Sequence, residues 1–318
     1  MDILAQVSDD FIAELDGEKG GMVLIDDDAM GRILSKHTGP THSACGGSAA
    51  NTIFALLQLG LPCSLVGKIG DDDTGRAYRK KFEAIGGDSR SLKVSATDPT
   101  ARCLSLITPD SQRTMRTNLG AAATIQAEEI VPKDFADATH LHVEGYTLFS
   151  GELAMRGMQL ARAAGCTVSL DLASFEVVHA AGDALPALLR DSVDIVFANE
   201  DEARAFCGNP DPETGLAALA ELCDVAAVKI GKDGALLRRG DETVRVAPVT
   251  ARHVVDTTGA GDLWAGGFLY GFLKGAPLAA AGRCGSILGA EAVQQIGAQI
   301  PDARWAGIRS ACTEALAG

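Results

Sequence analysis

From about residue 138 onward, short apolar runs alternate with stretches whose apolar residues recur at helical spacing. "THLHVEGY" gives way to the helical "ELAMRGMQLARAAG" and then to "CTVSLDLAS"; "VDIVFANE", a helix from Asp201 and "VAAVKIG" repeat the pattern. Strands alternating with helices predict βαβ units and a largely parallel sheet. Ligands of such sheets bind at the carboxyl ends of the strands. Glu144, Asp171, Asn199, Glu202 and Lys229 all fall at or just past those ends, so a shared cleft is expected there. His140 and His142 lie in the first of these strands; alternation allows one to face the core and one a cleft, and two structural histidines is the preferred reading.

The first third of the chain has a different rhythm. Residues 9–37 and 93–119 hold short polar-apolar segments such as "ARCLSLITPD" and "QRTMRTNLG", which suit hairpins better than βα units. Between them, "GGSAANTIFALLQLG" is a glycine-rich turn leading into an apolar helix. The expected organisation is an α/β body of residues 1–8, 38–92 and 120–318 carrying a small β lid of residues 9–37 and 93–119. A second glycine turn, "VDTTGAGD", precedes a helical stripe of Leu263, Trp264, Phe268, Leu269, Phe272 and Leu273, which Gly275 and Pro277 close. Free backbone N–H groups and the helix dipole make such a start a site for an anion. A capped turn, with Thr258 as cap and Asp262 favourably placed by the dipole, accounts for the same residues without catalysis.

Composition narrows the classes. A chain of 318 residues with 47% hydrophobic and 22% charged residues is an ordinary globular protein, and a net charge of −14 argues against nucleic-acid or anionic-membrane partners. No apolar run reaches spanning length and no signal peptide is evident. The eight cysteines are scattered without a C-x-x-C pair and read as reduced, so a cytoplasmic location is expected. There is no G-x-x-x-x-G-K-[ST] loop, and "GAGDLW" lacks the last glycine of a dinucleotide fingerprint. Asp26–Asp28 and Asp71–Asp73 imitate calcium loops without the closing Glu and read as solvated loops.

"VDTTGAGDLWAGGFLYG" resembles the C-terminal signature of the ribokinase-like (PfkB-type) carbohydrate kinases. "GGSAANTIFALLQLGLPCSLVGKIGDDDTG" is similar to their N-terminal signature, "NEDE" to their N-x-x-E element, and "VKIGKDG" to their nucleotide-side strand-turn. "TPDSQRTMRTNLGAA", "HVEGY" and "IVFANEDEA" look closest to the adenosine-kinase branch, from which "SLDLASFEVV" departs. The resemblance implies a mostly parallel central sheet flanked by helices with a small β lid, and phosphoryl transfer from ATP with Mg²⁺ to an alcohol. It implies Asp262 as the base, with the N–H groups of Gly259, Ala260 and Gly261 as an anion hole. Arg113 would clamp phosphate, with Arg116 near enough to compete. Asn199 and Glu202 would hold magnesium through water; their alternative reading is an Asn cap and a first-turn Glu. Lys229, Gly231, Gly234 and Thr258 fall on the nucleotide side. Asp2, Gly47, Ser48, Asn51 and Glu144 fall on the acceptor side. Asp256 and Thr258, with carbonyls near Gly297, would supply oxygens for an optional K⁺.

Met1 directly precedes the aspartate of the family's opening strand, G-N-x-x-x-D; a mis-assigned start is the expected reading, with a truncated chain or a missing half of the first strand as the alternatives. The apolar lid residues Leu104, Leu106 and Met115 suit a flat base, which makes a purine nucleoside such as adenosine the first choice of acceptor. Free ribose or fructose is the alternative, and a silent sensor on the same fold the second. Monomer and homodimer both stay open.

Overall fold

The computed structural model describes residues 1–110 and 112–317. They fall into two compact units, the first made of residues 1–125, 251–263 and 290–305 and the second of the remainder. The strands of the first unit are Asp2–Gln6 (β1), Met22–Leu24 (β2), Thr41–Ala44 (β3), Gly67–Gly70 (β4), Leu92–Ser95 (β5), Arg102–Ile107 (β6) and Arg113–Asn118 (β7). Five of them form one sheet in the order β2-β7-β6-β1-β3, while β4 and β5 pair in parallel. Its helices are Asp9–Ala13 (α1), Asp27–Lys36 (α2), Ser48–Gln58 (α3) and Asp73–Ala84 (α4). Ser8, Asp26 and Asp72 each accept a backbone N–H three residues on, which satisfies one donor of the opening turn. The two acidic runs that read as solvated loops are therefore capped helix starts.

Register separates the faces of the five-stranded sheet. Leu104 pairs with Ile3 and Arg116, and Leu106 with Ala5 and Thr114; this face packs on Ile12 of α1 and Met30 of α2. The other face carries Asp2, Cys103, Ser105, Arg113 and Met115. Two expectations need correction here. Segment 9–37 is helix, short strand, helix rather than a hairpin, because Ser8 and Asp26 start helices that cover the sheet; β6 and β7 do form a hairpin. The segments 1–8 and 38–92 supply β1 and β3 to the same sheet as β2, β6 and β7 instead of to a separate body. β1 finds partners on both sides, antiparallel β3 and parallel β6, and so completes its backbone hydrogen bonding.

In the second unit the strands are His140–Glu144 (β8), Thr167–Asp171 (β9), Ile195–Asn199 (β10), Val225–Lys229 (β11), Ala235–Arg239 (β12) and Glu242–Val246 (β13). They lie in the order β13-β12-β11-β10-β9-β8, with β8 to β11 mutually parallel as the βα alternation predicts. Helices Gly151–Ala163 (α5), Phe175–Ala181 (α6), Leu185–Ser192 (α7), Glu200–Cys207 (α8) and Pro212–Ala220 (α9) connect them. Val196 and Ala198 join Leu170 and Leu189 in one buried cluster. Phe197, of opposite parity, meets Trp264 and Phe268 at ring-centroid distances of 6.3 and 5.4 Å. Both faces of β10 are covered, which is why its sequence is a continuous apolar run.

Helices Ala260–Leu273 (α10), Leu278–Ala292 (α11) and Asp302–Ala317 (α12) complete the chain. Gly275, at φ +77°, follows the end of α10, as its sequence punctuation predicts. No helix among the described residues is long and apolar enough to cross a membrane.

Candidate active site

In the first unit, the turn before α10 delivers Asp262 to the helix's opening turn. Asp256, only 1% exposed, fastens that turn. Its Oδ1 accepts from the Thr258 N–H (2.9 Å) and hydroxyl (2.6 Å), and its Oδ2 from the Gly297 N–H (2.8 Å). Thr258 thus turns inward to Asp256. Gly259 sits at φ +71°, and a Cβ there would lie 2.4 Å from the Ala298 Cβ, so both backbone angle and space demand glycine. Of the three N–H groups expected to face an anion, that of Ala260 already donates to the Thr257 carbonyl at 3.2 Å.

Asp262 is held by α3. The Ser48 hydroxyl donates to Oδ1 at 2.9 Å, the Asn51 amide to Oδ2 at 2.8 Å, and the Thr52 hydroxyl to the Asp262 carbonyl oxygen at 3.0 Å. Positions 48, 51 and 52 share one helix face. Ser48 and Asn51, expected to hold sugar hydroxyls, hold this carboxylate. Thr52 was not anticipated from the sequence, although its four-residue spacing from Ser48 was the available signal. A cavity of about 220 Å³ in the same unit reaches Asn51 and Leu263 and is walled further by Phe54, Gln58, Lys81 and Trp305.

Asp2 lies against Gly46, where any Cβ would fall about 2.1–2.2 Å from the Asp2 carboxylate. The first of the paired glycines, Gly46, therefore makes room for Asp2, while Gly47 caps α3 at φ +105°. Burial raises the Asp2 carboxyl from its ordinary value, opposed first by the neighbouring Met1 ammonium and then by the Arg113 charge. The structure separates the two candidate arginines. Arg116 is 1% exposed and donates to the Met115 and Asp16 carbonyls, a structural role. Arg113 shares the face of Asp2, and its buried Nε has no hydrogen-bond partner among the described residues. Leu104 and Leu106, expected to wall a base, lie instead beneath α1 and α2; Met115 alone of the three stays on the Asp2 face.

In the second unit, the parallel strands end together. Glu144 is level with Asp171, Asp171 with Phe197, and Asn199 with Lys229. Lys229 is drawn inward: its Nζ lies 2.7 Å from Asp171 Oδ2, with side chains 13% and 5% exposed. Asn199 and Glu202 form a capping box. The Glu202 N–H donates to Asn199 Oδ1 (2.9 Å), the Asn199 N–H to Glu202 Oε2 (2.8 Å) and the Asn199 amide to Glu202 Oε1 (2.6 Å). Gly231 and Gly234 shape the β11–β12 turn, at φ +54° and +98°, and a Cβ on Gly234 would run into the Val246 carbonyl oxygen. His140 and His142 share one strand face rather than opposite ones, two residues apart, and both bond the Ser169 hydroxyl at 2.8 Å. Burial lowers them to about 3 and about 4.

Among solved structures, the fold is similar to that of an adenosine kinase from Sinorhizobium meliloti, with a TM-score of 0.89 and 32% identity, covering 99% of this chain and 96% of that one. An ATP-dependent ribose-1-phosphate kinase from Halopiger xanaduensis is 32% identical over 70% of this chain and 72% of its own. An adenosine kinase from Saccharomyces cerevisiae is 28% identical over 95% and 94%. The model of the pfkB family of carbohydrate kinases matches residues 27–305, and the chain belongs to that family. It is a sugar or nucleoside kinase with a hydroxyl acceptor, on the ribokinase-like α/β fold.

Proposed function

We propose that the chain is an ATP-dependent kinase acting on the primary hydroxyl of a ribose-bearing acceptor, a purine nucleoside such as adenosine first. The observation that carries the chemistry is Asp262, a carboxylate at a glycine-led helix start with both oxygens oriented by α3. So placed, it can accept the proton of an attacking hydroxyl. Gly259 and Gly261 are the stronger candidates for N–H groups that stabilise charge on the transferred phosphoryl, since the Ala260 N–H has a partner. Arg113, with its orphaned buried Nε, suits a bidentate phosphate contact. Asp2 would accept from vicinal hydroxyls, with Gly47, Asn51 and Glu144 as the other acceptor-side assignments; Lys229, Gly231, Gly234 and Thr258 remain the nucleotide-side assignments.

Asn199 and Glu202 offer oxygen donors to a hard cation, and both Glu202 oxygens already accept from Asn199. That fits a magnesium ion met through its own water, the ion neutralising phosphate charge when bound. Asp256 is a buried carboxylate held by three donors, and a buried charge of this kind suits a neighbouring K⁺.

The choice of adenosine is supported by the likeness to the Sinorhizobium adenosine kinase and no longer by Leu104 and Leu106. The relative that takes ribose 1-phosphate by name favours a sugar acceptor as the second reading. ADP release with ATP and Mg²⁺ against adenosine, guanosine, inosine, ribose, fructose and ribose 1-phosphate decides. Strong turnover on a purine nucleoside is expected. Turnover on sugars alone would overturn the acceptor, and silence across the panel would favour a ligand sensor.

A further inference from the structure

Resting on Asp262 as the base, we infer that Ser48 is a positioning residue for that carboxylate and not a contact of the acceptor. Three side chains on one face of α3 converge on a single residue of α10. Ser48 and Asn51 take one carboxylate oxygen each, at 2.9 and 2.8 Å, and Thr52 pins the carbonyl of the same residue at 3.0 Å. With backbone and both oxygens engaged, the side chain has one orientation left. A carboxylate oxygen can accept from more than one donor, so fixing the carboxylate plane is compatible with accepting a proton from a hydroxyl. Ser48 is half-buried and its single hydroxyl hydrogen is directed to Oδ1.

The fastening continues on the other side. Gly259, three residues before Asp262, lies so close to α3 that a Cβ would sit 3.4 Å from the Asn51 amide nitrogen. The glycine turn, the base and α3 are therefore mutually seated, and Ser48 is the member that can be removed without opening the turn. Alanine at position 48 retains the helix, since Gly47 is the cap and alanine is a better helix former than serine.

A positioning role and an acceptor contact make opposite kinetic statements. An interaction that matters only when the proton moves lowers kcat and kcat/KM together, whereas a ground-state contact raises KM. Steady-state kinetics of the full chain with ATP, Mg²⁺ and adenosine (or the acceptor that the panel selects) test this with Ser48→Ala, Ser48→Thr, Asp262→Asn and the Ser48→Ala/Asp262→Asn double variant. The expected result is a roughly tenfold loss of kcat in Ser48→Ala with acceptor KM within about twofold, because misplacing a reacting group is costly even at short range. Ser48→Thr restores most of the rate, and Ser48→Ala adds nothing to Asp262→Asn, since residues acting through one another are non-additive. A KM increase of about tenfold at unchanged kcat, or an additive loss in the double variant, overturns the inference. Full activity in Asp262→Asn sinks the base assignment itself, so the two failures are told apart. Thermal melts verify folding, and Ser48→Cys gives the same readout if Ser48→Ala is unstable.

Discussion

Two helix starts, each with an acidic residue in its first turn, show two ways of holding a carboxylate. At α8, Glu202 is held by Asn199, three residues away, through a capping box that any short peptide could begin to form. At α10, Asp262 is held by Ser48 and Asn51, more than two hundred residues earlier in the chain. The first arrangement maintains a helix wherever that helix is. The second exists only once α3 and the turn before α10 have folded together, so it can aim the carboxylate as well as cap the helix.

The difference can be broken first at Asp262. Asp262→Asn is expected to lower turnover by about 10²–10⁴-fold, as loss of a general base does, with ADP release as the measure and little change in thermal melt. A variant with near-native turnover would reduce the α10 start to another cap. The next largest effect lies in the long-range pair at the carboxyl edge. Lys229→Ala leaves Asp171, 5% exposed, without its cation and should destabilise the fold by about 3–5 kcal/mol. Denaturant titration tests this, and Asp171→Ala in the same background should recover part of the loss.

Acid provides a third contrast. His140 and His142 are kept neutral in the fold by burial, lowered to about 3 and about 4. Unfolded imidazoles bind protons near pH 6.5 that the folded ones refuse, so this stability is present above about pH 6.5 and is lost as pH falls toward 4. With half-burial discounted, about 1 kcal/mol per pH unit per histidine is expected. Denaturant midpoints at pH 7 and pH 5 should differ accordingly, and His140→Asn should flatten the slope; equal slopes would remove the histidines from the account. The smallest effect belongs to the local box. Asn199→Ala should cost about 1 kcal/mol of stability and raise the Mg²⁺ concentration needed for half-maximal activity. A melt change without any shift in Mg²⁺ dependence would leave the box as a cap and nothing more.

Legibility in the sequence followed the same division. The parallel strands β8 to β11 and the polar row at their ends were readable, because an apolar run bounded by turn residues encodes both a strand and its end. The start and stop of α10 were readable from its glycine turn and Gly275. Segment 9–37 reads as a hairpin although Ser8 and Asp26 are present as caps, because short polar-apolar segments satisfy two periodicities equally well. Leu104 and Leu106 read as a binding wall because alternation marks a face without saying what covers it; α1 and α2 cover it. Arg113 and Arg116, three residues apart on one strand, lie on opposite faces by parity, but only the packing of each face shows which arginine is enclosed.

By itself the sequence determined the family, the alternation of strands and helices, and the identity of the acidic residue at the α10 start. Those are properties of local pattern and of chemistry carried by single motifs. Tertiary structure alone decided that Ser48, Asn51 and Thr52 close on Asp262, that Gly46 makes room for Asp2, and that Lys229 turns inward to Asp171. The reason is physical: a side chain's partner is fixed by what the fold brings within about 3 Å of it, and a distance of that kind across two hundred residues leaves no periodicity in the chain.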